Sequence, residues 1–121
     1  MNLDSNFIQD FEKYKPYVII VEGKKDILSL KALGFQRVYA INAPGVPIKV
    51  RMEQIAQQLI KKDKVCILTD FDKKGKALYL LIKQIGQELG MNLDSSLRGL
   101  LLKAQVSHIE GLWQFFEKQR F

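Results

Sequence analysis

Three acidic side chains stand where a folded chain can present them to one point. Glu22 closes the apolar run Val18-Ile19-Ile20-Val21 and precedes Gly23, while Asp70 and Asp72 close the run Val65-Cys66-Ile67-Leu68-Thr69 and precede Lys73, Lys74 and Gly75. Two aspartates separated by one residue, where a chain curls out of a strand, can both turn oxygens toward a single position. Hard carboxylate oxygens of this kind suit Mg²⁺, which binds through one or two carboxylates, several waters and usually a phosphate. Glu22, Asp70 and Asp72 are therefore a candidate metal-binding set, with Mg²⁺ the expected ion and Mn²⁺ able to substitute.

Cations surround these acids. Lys24 and Lys25 follow Glu22, Lys73, Lys74 and Lys76 follow Asp72, and Lys49 with Arg51 follow the segment Asn42-Ala43-Pro44-Gly45-Val46-Pro47. Lysines that ring a metal-binding carboxylate set fit a phosphodiester, whose charge the metal and the lysines offset. Lys24, Lys25, Lys49, Arg51, Lys73 and Lys74 are the candidate phosphate-binding residues. Gly23 and Gly75 are read as structural, the second letting the backbone turn tightly into a helix. Each residue also has a plainer reading. Aspartates favour helix N-caps, an acid such as Asp26 in a first helical turn complements the helix dipole, and lysine runs are commonly solvated faces. Cap and ligand roles can coexist in Asp70 and Asp72.

The whole chain agrees with a nucleic-acid partner. Its 121 residues carry 19 Lys plus Arg against 13 Asp plus Glu, a formal net charge of +6, with 47% hydrophobic residues. That length and composition describe one folded domain, 1–121, and exclude global disorder. No apolar stretch approaches the ~18–20 residues of a membrane-spanning helix. The start, Met1 to Phe7, lacks the basic end and apolar core of a signal peptide, so a cytoplasmic protein is expected. One Cys and one His cannot build the usual tetrahedral zinc site. Cys66 reads as a small core residue. His108, remote in sequence from both acidic motifs, reads as a surface residue.

The elements that must position the acids alternate. Strands are expected at Tyr17–Val21, Arg37–Ile41 and Val65–Thr69, with a short edge strand at Met91–Leu93. Helices are expected over Lys24–Leu33, Met52–Ile60 and Lys76–Leu89, the first and last stopped by Gly34 and Gly90. A further helix over Leu97–Lys103, capped by Asp94 or Ser95, leads to a C-terminal helix. There Ser107 and Glu110 fit a capping box, and Trp113, Phe115, Phe116 and Phe121 give a core or dimer face. Such alternation predicts an α/β fold, with about four mainly parallel strands and helices on both faces. Ligands of such sheets sit at the carboxyl ends of the strands, where both acidic motifs fall.

The stretches Val18-Ile19-Ile20-Val21-Glu22-Gly23-Lys24-Lys25-Asp26 and Ile67-Leu68-Thr69-Asp70-Phe71-Asp72-Lys73-Lys74-Gly75 resemble the two signature motifs of the Toprim domain. That domain is shared by bacterial primases, type IA and type II topoisomerases, ribonuclease M5, recombination mediators and overcoming-lysogenization-defect nucleases. The resemblance covers about residues 17–93, leaving 94–121 as a helical extension. It implies a Rossmann-like three-layer fold, general acid/base work for Glu22 with Lys24 beside it, and Mg²⁺ coordination by Asp70 and Asp72. Ribonuclease-M5-like cleavage is the expected activity. The alternative is a non-catalytic module that uses metal and lysines to hold a nucleic-acid end or a partner enzyme. A homodimer, or a partner protein that supplies specificity, fits either. A phosphoaspartate receiver is disfavoured because Glu22-Gly23 stands where a pair of acids is needed.

Overall fold

Val18–Val21 is apolar at every position and is buried along its whole length, as a strand covered on both faces must be. It is β1 of a computed structural model that describes residues 5–106 and 108–112. The other strands are β2 (Arg37–Ala40), β3 (Lys64–Leu68) and β4 (Asn92–Leu93). They form one sheet in the order β2-β1-β3-β4, and every neighbouring pair is parallel. Val21 at the end of β1 pairs with Ala40 on one side and Leu68 on the other. The expected sheet of about four mainly parallel strands is thus present, and β4 joins it in parallel too.

The helices are α1 (Ser5–Glu12), α2 (Lys24–Ala32), α3 (Ile48–Ala56), α4 (Lys73–Glu88) and α5 (Ser96–Lys103). Alternate strand residues divide between two cores. Ile19, Val21, Cys66 and Leu68 pack with Phe7 and Phe11 of α1, Leu30 of α2, Leu97 and Leu101 of α5, and Ile109 and Leu112. Val18, Ile20, Val65 and Ile67 pack with Met52 and Ile55 of α3 and Ile82 and Ile85 of α4. The period-2 pattern of the strands therefore fixes which helix covers which face. Gly34 and Gly90 take φ values of 102° and 74° just past α2 and α4, the left-handed conformation that ends a helix.

Two expectations are corrected. Helix α3 runs from Ile48 to Ala56 rather than from Met52 to Ile60, because Pro47 occupies the N-cap position and sets the start four residues earlier. Helix α1 has no counterpart in the sequence reading, although its Phe7 and Phe11 lie buried one turn apart. The capping box at Ser107 and the aromatic residues Trp113, Phe115, Phe116 and Phe121 lie outside the described residues. Among those described, no helix is long and apolar enough to cross a membrane.

Chain order and sheet order differ at one place. The chain steps outward from β1 to β2, then returns across β1 to β3 and steps outward the other way to β4. The direction reverses between β1 and β3, and such a switch point opens a crevice at the carboxyl ends of the two strands.

Candidate metal centre

Glu22 is the first residue past β1, and its carbonyl accepts from the Asn42 N–H at 3.0 Å, continuing the pairing with the end of β2. Gly23 then caps α2 without a side chain. Asp26 supplies what is missing: its Oδ2 accepts from the Gly23 N–H at 3.1 Å, half of a capping box. Asp26 is a buried acid in the first turn of α2. Gly23 is also corrected. Its φ of −146° is extended backbone that any residue adopts, and a Cβ there meets nothing within 4 Å.

The loop after β3 is built differently. Thr69 is fully buried and its hydroxyl donates to the Gly75 carbonyl at 2.7 Å. Asp72 is the N-cap of α4, with Oδ1 accepting from the Gly75 N–H at 2.7 Å. Gly75 is needed, though not for a tight turn: a Cβ at that position would lie 2.1 Å from the Asp70 carbonyl oxygen. Only a residue without a side chain lets α4 begin so close to the loop that precedes it.

Two distant residues complete this loop. Arg98 of α5 is 9% exposed; its Nη1 donates to the Thr69 carbonyl at 2.7 Å and its Nη2 to the Asp70 carbonyl at 3.4 Å. Its guanidinium carbon lies 4.4 Å from the Phe71 ring centroid and 4.2 Å from that of Tyr79. Burial lowers the Arg98 pKa below its ordinary value, a drift opposed by Tyr79, Asp70 and Glu22. The cation thus holds the backbone of the motif and adds positive charge beneath its acids. From the C-terminal side, the Ile109 N–H donates to Asp70 Oδ1 at 3.0 Å.

The neighbouring β1 and β3 bring the two motifs into contact. Glu22 Oε2 accepts from the Asp70 N–H at 3.4 Å. Burial raises the Glu22 pKa above its ordinary 4.5, and the nearby Asp70 charge raises it further. Glu22 and Asp70 line an open cleft of about 340 Å³ together with Lys24, Lys25, Asn42 and Lys74. Asp70 also belongs to a second grouping. It, Asp72 and His108 place one ligand atom each within 4.8 Å of one another. Of the expected set, Asp70 is common to both arrangements: it meets Glu22 at the strand ends and groups with Asp72 and His108, while Glu22 is outside that grouping. Two adjacent carboxylates, an imidazole and a carboxyl strained toward its protonated form are a donor set that a divalent cation satisfies. The residues fit the metal.

The expected phosphate-binding residues separate into two sets. Lys24, Lys25 and Lys74 line the cleft. Lys49 and Lys73 are exposed and outside its lining. Arg51 is also outside the lining, and its Nε donates to the Ala40 carbonyl at 2.8 Å, at the end of β2. Arg98 and His108 are the residues that sequence order conceals. His108 is an exposed residue as expected, but its Nε2 lies 4.0 Å from Asp72 Oδ2 rather than far from the acids. Arg98 left one signal, a charge on the apolar face that Leu97 and Leu101 mark in α5.

Comparison with known proteins matches this arrangement to one family. The Toprim domain matches residues 17–106, a span that takes in both motif loops, the whole sheet and Arg98. The chain is 30% identical over 106 residues to the UPF0292 protein MJ1624 of Methanocaldococcus jannaschii, covering 85% of this chain and 80% of that one. It is 31% identical over 70 residues to the DNA primase DnaG of Methanocella arvoryzae, covering 58% of this chain but 13% of the primase. A solved structure from Aquifex aeolicus superposes with a TM-score of 0.72 at 27% identity, covering 91% of this chain and 98% of that one. The chain belongs to the Toprim domain family, and its function lies within that family's metal-dependent work on nucleic acids.

Proposed function

We propose that the protein is a divalent-metal-dependent nuclease, with ribonuclease-M5-like hydrolysis of RNA phosphodiesters as its reaction. The observation that carries this reading is the contact between Glu22 and Asp70 at the β1–β3 switch point, in a cleft open to solvent and lined by three lysines. Asp70 and Asp72 would hold the ion, with Mg²⁺ the reference choice. Bound there, a divalent cation supplies positive charge to a phosphate oxygen and to the attacking water. Glu22, whose pKa is raised by burial and by Asp70, is suited to take a proton from that water and return it to the leaving oxygen. Lys24, in the first turn of α2 beside Glu22, would meet the charge of the scissile phosphate, with Lys25 and Lys74 holding its neighbours. A homodimer or a partner protein would extend this small basic surface and set specificity.

The test is cleavage of structured RNA and of single-stranded DNA with Mg²⁺, with Mn²⁺ and with EDTA. Cleavage of RNA that EDTA abolishes is expected. Glu22→Gln should leave metal binding largely intact and lower the rate by ~10²–10⁴-fold. Metal-dependent binding without cleavage of either polymer would replace this reading with that of a holding module for nucleic-acid ends.

A further inference from the structure

We infer that His108 is a ligand of the metal, and that through it the site takes a first-row transition-metal ion such as Co²⁺ or Mn²⁺ in preference to Mg²⁺. The inference rests on the proposed reading of Asp70 and Asp72 as metal ligands. It adds a nitrogen donor to what both motifs describe as an all-oxygen site.

The position of His108 is built rather than incidental. Its neighbours Val106 and Ile109 are both buried, at 2% and 0% exposed, and pin the segment to the core that α2 and α5 share. The Ile109 N–H to Asp70 Oδ1 bond at 3.0 Å ties the same segment to a metal-ligating side chain. Between these anchors the imidazole stays out in solvent, its side chain 57% exposed, with Nε2 4.0 Å from Asp72 Oδ2. That distance is beyond a hydrogen bond but fits a shared ion. Two donors each about 2.1 Å from one cation lie about 3 Å apart at right angles and about 4.2 Å apart when opposite. One ligand atom each of Asp70, Asp72 and His108 falls within 4.8 Å of the others, so donors that end up at right angles on one ion close by up to about 1.8 Å.

Imidazole changes which ion wins. Mg²⁺ demands hard oxygen donors and gives up water reluctantly, whereas Mn²⁺ and Co²⁺ accept nitrogen readily. A carboxylate pair alone binds all three through similar chemistry, and the nitrogen discriminates.

Binding of Mn²⁺ and Mg²⁺ is measured by calorimetry on the wild type, His108→Ala, His108→Asp and Asp70→Asn, and electron spin-echo modulation is recorded on the Mn²⁺ forms. Wild-type protein should show the ¹⁴N coupling of a directly bound imidazole, and His108→Ala should lose it. His108→Ala should weaken Mn²⁺ by about tenfold and leave Mg²⁺ within about twofold, so that the preference collapses. His108→Asp, which puts a third oxygen donor in place of the nitrogen, should raise Mg²⁺ affinity above that of the wild type without the nitrogen signal. Thermal melts of the His108 variants without metal separate a loss of fold from a loss of metal affinity. Mn²⁺ bound in the wild type without ¹⁴N coupling, yet lost in Asp70→Asn, would overturn the role of His108 and leave the acidic site standing. Binding unaffected by Asp70→Asn would overturn both.

Discussion

The two loops that meet at the metal centre share a local helix cap but differ in how much else holds them. After β1, the loop carrying Glu22 is secured by residues next to it in sequence: Gly23 has open space around its Cα, and Asp26 three residues on caps the helix. After β3, the loop carrying Asp70 and Asp72 has local bonds from Thr69 and Asp72 to Gly75, but it is also held from afar, by Arg98 in α5 and by the backbone of Ile109, and it is packed so closely that Gly75 admits no Cβ. The first loop is a local motif that a strand end and one helical turn suffice to make. The second is a tertiary construction, and it carries two of the three expected ligands. The acids that need the tighter placement lie where the fold spends more of its contacts.

That contrast predicts a graded series of effects. The largest is at the paired glycines. Alanine normally favours a helix over glycine, yet Gly75→Ala should destabilise by about 3 kcal/mol or more, because a backbone carbonyl sits inside the new side chain's radius. Gly23→Ala should change stability by no more than about 0.5 kcal/mol. Urea melts of the two variants decide it, and equal losses would erase the distinction between the loops.

Next comes Arg98. Arg98→Met removes a buried guanidinium from the Thr69 and Asp70 carbonyls and should cost about 2–3 kcal/mol. It should also weaken metal binding by about tenfold, since the ligands lose their support. Arg98→Lys keeps the charge but not the fork or the ring contacts, and should recover stability only in part. Metal affinity unchanged in Arg98→Met would show that the loop holds its shape without it. The corresponding change on the other loop, Asp26→Ala, should cost about 1 kcal/mol by loss of a cap.

The smallest effect is a pH dependence at Glu22. Its folded pKa lies above its ordinary 4.5, so the protonated form favours the folded state. The penalty is absent below the ordinary glutamate value and grows as pH rises through the raised one. Without metal, Glu22→Gln should therefore melt like the wild type in acid and slightly above it at pH 7. Glu22 remains open to solvent, which screens the repulsion and limits the gain to about 0.5 kcal/mol. A gain that grew toward low pH would reverse the sign and remove the contact between the two acids.

The same contrast explains what the sequence reveals. Strands β1 and β3 read as continuous apolar runs because both of their faces are buried, and the acids follow them directly, so the Glu22 and Asp70 motifs and their convergence are legible. Helix α3 is misplaced by periodicity because Leu59, beyond the helix end, still packs against the core and prolongs the pattern. Asp26 could be placed in a first turn, but its burial depends on what packs over it. Arg98 and His108 follow Asp70 by many residues and reach it only through the third dimension. No local spacing announces them, apart from a charge set among the leucines of α5.

The order of strands also governs the order in which the molecule can be made. β1, apolar throughout, leaves the ribosome first, yet it is the inner strand flanked by β2 and β3, and parallel pairing must wait for each crossover to be complete. Until residue 68 has emerged, a strand with two apolar faces and at least one unpaired edge is exposed to its surroundings, a state that invites association with other chains. The acidic loop waits longer still, since Arg98 and Ile109 are needed to set it. A nascent chain therefore carries both motifs well before it can hold an ion, and metal capture reports that nearly the whole domain has folded.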